Sequence, residues 1–508
     1  MKKIKISLVL LLVAFFKFNS FSQYDNVWML GTYQVVPSVP KCGINFSMGS
    51  PDTFSLIRPM GMWTCNATFC DSSGSLFCYS NGIYIGNKQQ DTLLNAKNFN
   101  PGSYTNASQT KGLDWVQGVL FLPSPNHPNQ IITFNESGEA TQIDSVNKWA
   151  PSSLKYSVID MNLDSGRGAI IPSKKAVTIV NDTLIGGFIT ASKHGNGRDW
   201  WVLVQKANTG LFYKLLITPD TIEVFTQQIG SNIIYDFSGN AMFSADGSKY
   251  ILVTQYLSID IFDFDRCSGT LSNHHHITAQ DSTLGTTGAS ISPSNRWLYV
   301  SNQKRIYQYD LWSSNIDSTV QVVAVFDSFV SPFQTLFSLH QLGPDGKIYI
   351  STWDACNVLH IIGQPDSGGI ACNILQHNLN LPLYNLSVPN NPNYNLGRLQ
   401  GSPCDTLQWT GSPPTPEGGV SNFKIYPNPV TDNVLNIGYQ LPVSASSTSL
   451  SGIFQIYDVT GKVVFRYVLP QWSHLQMFNL PQLSDGVYSC VITSGGYRVS
   501  KRLVVIKE

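Results

Sequence analysis

Phe243-Ser-Ala-Asp-Gly-Ser-Lys-Tyr-Ile-Leu-Val253, Ile291-Ser-Pro-Ser-Asn-Arg-Trp-Leu-Tyr-Val-Ser301 and Leu342-Gly-Pro-Asp-Gly-Lys-Ile-Tyr-Ile-Ser351 are three versions of one pattern. Each places a turn, Asp-Gly twice and Ser-Asn once, before a short alternating apolar run, which is the sequence form of a β-hairpin. A further strand follows in each: Ile259-Asp-Ile-Phe-Asp-Phe264, Ile306-Tyr-Gln-Tyr-Asp-Leu311 and Val358-Leu-His-Ile-Ile362. The turn positions Asp246, Ser294 and Asp345 stand 48 and 51 residues apart. Fainter copies lie upstream at Asp71-Ser-Ser-Gly74, Pro123-Ser-Pro-Asn-His-Pro128 and His194-Gly-Asn-Gly-Arg-Asp199, with a longer interval before the last. A period of roughly 40–50 residues with about four strands predicts an all-β chain whose body is a β-propeller.

A ring is expected because a four-stranded blade has two apolar faces and covers both only by packing on neighbours. Six visible copies and weak ends suggest about seven blades. Closure is expected where 27–33 or 44–48 joins strands from about 373 to 400. His194, Asp199, Asp246, Gly247, Asp345 and Gly346 are read as structural residues of the blade turns, with His194 and Asp199 hydrogen-bonded within theirs.

Both ends of the chain read differently from its body. Lys2, Lys3 and Lys5 precede an apolar run from Ile6 to Phe16, and Ser20-Phe-Ser22 supplies a small-x-small cleavage pattern, as in a secretory signal peptide. No later segment reaches the roughly 18 uninterrupted apolar residues of a membrane-spanning helix, so no transmembrane segment is expected. Near the other end, Gly411-Ser-Pro-Pro-Thr-Pro-Glu-Gly-Gly419 has the composition of a semi-extended linker. The expected organisation is therefore a signal peptide at 1–22, the propeller at 23–404, a linker at 405–422 and a small C-terminal unit at 423–508.

Formal net charge is zero and only 13% of residues are charged, against roughly 25% in an average soluble protein. No electrostatic pull toward nucleic acid follows from such a balance. The cysteines number nine, so one at least is left out of any intramolecular pairing. Cys65, Cys70 and Cys78 lack both a nearby His and the spacing of a zinc knuckle, and read as buried small side chains, with one or two disulfides somewhere in the chain.

Candidate chemistry is sparse. Adjacent side chains on an extended chain point to opposite sides, so His274-His-His276 cannot converge as a triad and reads as a solvated loop after the Asp265–Gly269 turn. The cluster from Lys193 to Trp201 contains a His and an Asp suited to acid–base work, but no Gly-x-Ser-x-Gly nucleophile motif accompanies it. Asp160, Asp164, Asp236, Asp260, Asp263 and Asp265 recur near strand ends, where a central channel would gather them around Ca²⁺. None lies in the spaced Asp-x-Asp-x-Asp-Gly pattern of a dedicated calcium loop, so no cofactor and no metal-site residue is assigned beyond that Ca²⁺ option. Trp115, Trp149, Trp200, Trp201, Tyr256, Trp297, Trp312 and Trp353 divide between inter-blade core and exposed recognition platform.

Two resemblances add to this reading. Lys424-Ile-Tyr-Pro-Asn-Pro-Val430, the Asp458-Val-Thr-Gly-Lys462 hairpin, the Gly486-Val-Tyr488 strand and the closing Val499-Ser-Lys-Arg-Leu-Val-Val-Ile-Lys507 occur in order. Residues 423–508 thus resemble the type A C-terminal sorting domain of proteins exported by the type IX secretion system of Bacteroidetes. That resemblance implies a small β-sandwich and export through Sec and then the outer membrane to the surface or medium. Handling by the type IX machinery would rest on Tyr426, Pro427, Asn428, Pro429, Asp458, Gly461, Lys462, Gly486, Tyr488 and Lys501. Cys65 to Gly82, Lys193 to Val202 and Pro365 to Cys372 are similar to a family of secreted Bacteroidetes propeller proteins of unassigned activity, which carries no catalytic residues to transfer. The expected function is a secreted or surface binding module for an extracellular glycan, peptide or protein. The alternative is a propeller enzyme, lactonase-like or lyase-like, with a metal on its central axis.

Overall fold

The structure, a computed structural model, describes residues 23–32, 40–48, 50–142, 149–233, 239–255, 258–278, 286–399, 402–405, 421–431, 433–441, 452–469, 475–494 and 497–506. The expected signal peptide at 1–22, most of the expected linker at 405–422, Asp236 and Tyr256 lie outside these. Strand makes up 52% and helix 5%, as the alternating apolar pattern predicts.

Among the described residues, seven antiparallel sheets of three or more strands follow one another from Val27 to Asn385. The first holds Val27–Leu30, Pro40–Asn45 and Asp52–Ile57, and the second Ala67–Cys70, Leu76–Ser80 and Ile85–Asn87. The third is larger: Val119–Pro123, Gln130–Glu136 and Leu154–Asp160, with Ala169–Ile170 and Val177–Val180 both pairing on the last of these. The next four are regular four-stranded meanders that begin at Thr190, Gly239, Thr286 and Phe337. The additions to the third sheet, together with the Ala140–Gln142 and Trp149–Pro151 hairpin, account for the long interval before His194.

All six repeat copies fall between the first and second strands of sheets two to seven. Each of these turns contains one residue of positive φ: Gly74, Asn126, Gly197, Gly247, Asn295 and Gly346, at values between 59° and 84°. Gly and Asn tolerate that conformation and a branched side chain does not, which is why the repeat is readable there.

The sheets pack pairwise into a closed ring. Val27 and Met29 of the first meet Cys70 and Tyr79 of the second, and Phe69, Leu120 and Trp200 join the second, third and fourth. Trp201 and Phe212 then meet Tyr250 and Phe262, Ile251 and Ile259 meet Leu298 and Val300, and Tyr299 meets Phe337 and Ile350. Trp28 and Ile44 return the contact to Leu339 and Tyr349 of the seventh sheet. Each sheet is thereby covered on both faces, the arrangement of a β-propeller.

Closure differs from the expected strand addition. Val27–Leu30 stays with its own sheet, and Ile374–Asn385 pairs with Cys356–Ile362. The two ends are joined by packing and by hydrogen bonds from Thr32 N–H to Tyr384 O (3.1 Å) and from Gly31 N–H to Asn385 Oδ1 (3.0 Å). Downstream, the C-terminal unit stacks the sheet Ser421–Tyr426, Val434–Gln440, Leu475–Asn479 on the sheet Val463–Leu469, Gly452–Tyr457, Gly486–Ser494, Tyr497–Val505. Phe454 and Phe478 stack between them with ring centroids 5.2 Å apart.

Candidate functional site

The ring axis is the natural place for a propeller site, and this chain fills it with its own backbone. After Asn385 the segment from Leu386 to Tyr394 runs along the first, innermost strands of the sheets. Asn390 donates its N–H to Asn66 O (2.8 Å) and its side-chain amide to Val119 O and Ile189 O (both 3.0 Å). It accepts from Gln117 Nε2 (3.1 Å), and Gln117 in turn brackets Ala241 through N–H and carbonyl. Asn66 also reaches Ser387, and Gln341 donates to Asn391 O. Tyr394 is buried among Tyr24, Phe69 and Trp200, with its hydroxyl on Phe121 O (2.9 Å). The chain then emerges at the opposite end of the ring, where Asn393 bonds Ala245 O, Leu399 N–H bonds Gly195 O and Cys404 is disulfide-bonded to Cys267. The remaining described cysteines are free and buried.

Beside this core, neutral buried groups dominate. His340 sits between Ser290 Oγ (3.0 Å) and Ser301 Oγ (2.9 Å), and burial lowers its pKa to about 3. His360 is lowered to about 4 for the same reason. Burial pushes Glu136 well above the carboxylate range, although Gly187 N–H donates to it. Such residues hold a core together and are poorly placed to exchange protons with a substrate.

The turn residues read from sequence lie in hydrogen-bonded turns. Asp246 Oδ1 accepts from Ser244 Oγ, Ser248 N–H and Ser248 Oγ, while Asp345 accepts from Lys347 N–H and from the Tyr349 hydroxyl. Gly247 and Gly346 supply the positive φ. His194 and Asp199 share a turn through His194 N–H to Asp199 O (2.8 Å), but their side chains part company. The imidazole meets Cys267 O (2.9 Å), whereas Asp199 takes Arg198 (2.6 Å) and Asn196 (2.7 Å). The two side chains therefore do not form an acid–base pair; the Asp199 carboxylate is held by Arg198 and Asn196.

The His run departs further from expectation. His274, His275 and His276 lie in the strand Thr270–Thr278, the outer strand of the fifth sheet, and not in a loop. Strand alternation sends His275 to Asp317 (2.6 Å) and turns His274 and His276 together onto Asp260 Oδ1 (2.6 and 3.0 Å). The carboxylates do not gather on the axis: Asp263 pairs with Lys249, Asp265 caps the 265–269 turn, Asp164 pairs with Arg167 and Asp160 caps Asn162.

The Trp residues divide. Trp115, Trp200, Trp201 and Trp297 are core, while Trp149 and Trp353 are exposed. Further apolar side chains are exposed at the same end of the ring as Trp353. Phe329, Val330 and Phe333 lie between the sixth and seventh sheets and, with Trp353, are 36–56% exposed. A Val330–Gln334 bridge, the Ser331 hydroxyl on Asn357 (2.8 Å) and a Phe329–His377 stack at 4.1 Å hold this loop in shape. Loops linking second to third strands and fourth to first strands share one end of an antiparallel ring. The cluster therefore lies at the end away from the Asp turns and from Cys404.

In the C-terminal unit the motif residues stabilise a hairpin and an edge. Asp458 Oδ1 accepts from Thr460 and from Lys462 N–H around Gly461. The Asn428 amide donates to Arg502 O and accepts from Val504 N–H (both 2.8 Å), with Pro427 and Pro429 in cis on either side. The Tyr488 hydroxyl reaches Ser484 O, and Lys501 pairs in register with Cys490 on the strand that continues from Gly486-Val-Tyr488. Burial raises the Tyr426 phenol well above its ordinary pKa. Asp458, Tyr488 and Lys501 line one shallow depression.

No curated protein matches the chain. Among solved structures, a Bacteroides fragilis protein provisionally assigned as a 6-phosphogluconolactonase is 13% identical over 73% of this chain and 98% of its own, with a TM-score of 0.43. The Cps50 (Swd1) β-propeller domain of Myceliophteria thermophila is 11% identical over 65% and 94%, with a TM-score of 0.38. Likeness at this level bears on neither activity nor ligand. Residues 424–507 match the family described as the secretion system C-terminal sorting domain. That segment is thus a type IX sorting domain, and it directs the propeller to the cell surface or the extracellular space.

Proposed function

We propose that the exported propeller is a non-catalytic binding module that recognises a glycan, peptide or protein through the end of the ring carrying Phe329, Val330, Phe333 and Trp353. The observation that carries this reading is that cluster: apolar and aromatic side chains held exposed by a hydrogen-bonded loop, of the kind that marks recognition surfaces. Two features support it. The axis, where a lactonase-like or lyase-like metal centre would sit, is packed with Leu386 to Tyr394. The chain also leaves toward the linker from the opposite end, so the aromatic end stays free. In this reading the mature protein is the propeller at 23–404, the linker at 405–422 and the sorting domain, released from a signal peptide at 1–22.

The test screens the secreted protein and its Phe333→Ser/Trp353→Ser variant against glycan and peptide arrays, with a lactone and ester hydrolysis panel alongside. Hits on the arrays that weaken at least tenfold in the variant are expected, with no turnover. Turnover of a lactone or ester by the wild type, or array binding indifferent to both substitutions, would overturn the reading.

A further inference from the structure

Asp260, His274 and His276 form a donor set that neither export nor the proposed recognition surface uses. We propose that these three side chains bind one divalent transition cation of the zinc class at the outer edge of the fifth sheet. One ligand atom from each, Asp260 Oδ1, His274 Nε2 and His276 Nδ1, lies within 4.8 Å of the other two. They come from paired strands: Ser258–Asp265 contributes the carboxylate, and Thr270–Thr278 presents alternate residues on one face. Asp260 stands opposite His276 in the ladder. A register shift between Ile261 and Asp263 brings His274 back toward the same oxygen.

The hydrogen bonding points to a cation as well. Asp260 is 1% exposed, and three groups crowd its Oδ1: His274 Nε2 at 2.6 Å, His276 Nδ1 at 3.0 Å and Ser231 Oγ at 2.7 Å, the last also 3.2 Å from His276 Nδ1. Oδ2 receives Ser258 Oγ at 2.9 Å. A carboxylate oxygen has two lone pairs, so Oδ1 is oversubscribed. A cation between Oδ1 and the two imidazoles needs one lone pair in place of two and leaves the other for Ser231. Ligand distances of about 2.0–2.2 Å at a tetrahedral centre put donor atoms roughly 3.3–3.5 Å apart, so the two Asp260–imidazole separations widen by roughly 0.3–0.9 Å and the imidazoles, within 4.8 Å of each other, turn to meet the ion.

The surroundings fit. His274 stacks on Phe262 with ring centroids 4.7 Å apart, which fixes one ligand, and His276 is half-exposed, which leaves a coordination position for water. Two neutral imidazoles and one carboxylate favour zinc, nickel or copper and disfavour calcium or magnesium, which take all-oxygen shells. His275 on the opposite strand face, paired with Asp317, is excluded from the set and serves as an internal control.

The experiment uses the full mature chain stripped with chelator and titrated with Zn²⁺ alone, followed by calorimetry and by thermal unfolding. One Zn²⁺ per chain is expected, with a rise in Tm that Ca²⁺ and Mg²⁺ do not give. His276→Gln and Asp260→Asn should each weaken binding at least tenfold, and His275→Gln should leave it unchanged. His276→Gln alters a half-exposed side chain and keeps the fold testable if Asp260→Asn does not. Binding equal in His276→Gln and wild type, loss of binding in His275→Gln, or no stoichiometric Zn²⁺ uptake would overturn the proposal. Each outcome is independent of the array screen, so failure here leaves the recognition surface untouched.

Discussion

Replacing Asn390 tests whether the axis of the ring is held as described. Asn390 is 6% exposed and its amide serves Val119 O and Gln117 Nε2 on one inner segment and Ile189 O on another. Asn390→Leu keeps the volume and removes the donor. Leaving a buried polar group without its partner costs roughly 1–3 kcal/mol, and two carbonyls lose theirs. Partial compensation by the added apolar burial, about 1 kcal/mol, leaves an expected loss of roughly 1–5 kcal/mol. For a ring of this size that corresponds to a fall in Tm of roughly 1–6 °C. Asn390→Asp should be worse, because it faces two carbonyl oxygens with a carboxylate. The assay is urea unfolding of the purified secreted chain followed by near-UV circular dichroism, with Gln117→Leu and the double variant completing a cycle. A coupling of about 1 kcal/mol is expected between two residues in direct hydrogen-bond contact. If Asn390→Leu unfolds within about 0.5 kcal/mol of the wild type, a spread typical of surface substitutions, the axial segment does not hold the ring.

Two more predictions rest on the same region and its neighbours. The Cys267–Cys404 bond closes a loop of sequence separation 137, so Cys404→Ser should lower stability by up to about 5 kcal/mol on the chain-entropy account and expose 386–404 to proteolysis; an unchanged urea midpoint would contradict the clamp. His340 and His360, with pKa values lowered from 6.5 to about 3 and about 4, stay neutral in the fold while the unfolded chain takes up protons. Their contribution is complete above pH 6.5, is lost as pH falls from 6.5 toward 3, and amounts to roughly 2 kcal/mol each by pH 5. Tm measured from pH 8 to pH 5 should fall, and His340→Gln should flatten that slope; a parallel slope in the variant would show that another group titrates.

What could be read from the sequence follows from where the stabilising partners lie. The blade turns were legible because their chemistry is local: an Asp or Ser side chain caps backbone two residues on, and one Gly or Asn carries the positive φ, all within six residues. The sorting-domain hairpin is readable for the same reason at Asp458 and Gly461. His194 and Asp199 mark the limit of such reasoning. Their turn is correct, but Arg198 beside Asp199 and Cys267 O, 73 residues away, decide where the side chains go.

The axial segment shows what local signals cannot carry. Asn385, Ser387, Asn390 and Asn393, among Pro residues and with no alternation, have the composition of a surface loop, yet Asn390 bonds the backbone of two inner segments and the others meet Gly31 N–H, the Asn66 amide and Ala245 O. Burial of uncharged amides is favourable only once the ring exists to supply those partners, so nothing short of the closed fold distinguishes this stretch from a linker. The His run fails in the opposite direction. Alternation correctly excludes a triad, but it equally requires two of the three to share a face, and the register shift opposite them supplies the carboxylate that makes the pair chemically consequential. A polar run in the outer strand of a predicted blade is therefore better read two residues at a time, against the strand it must pair with, than as a unit.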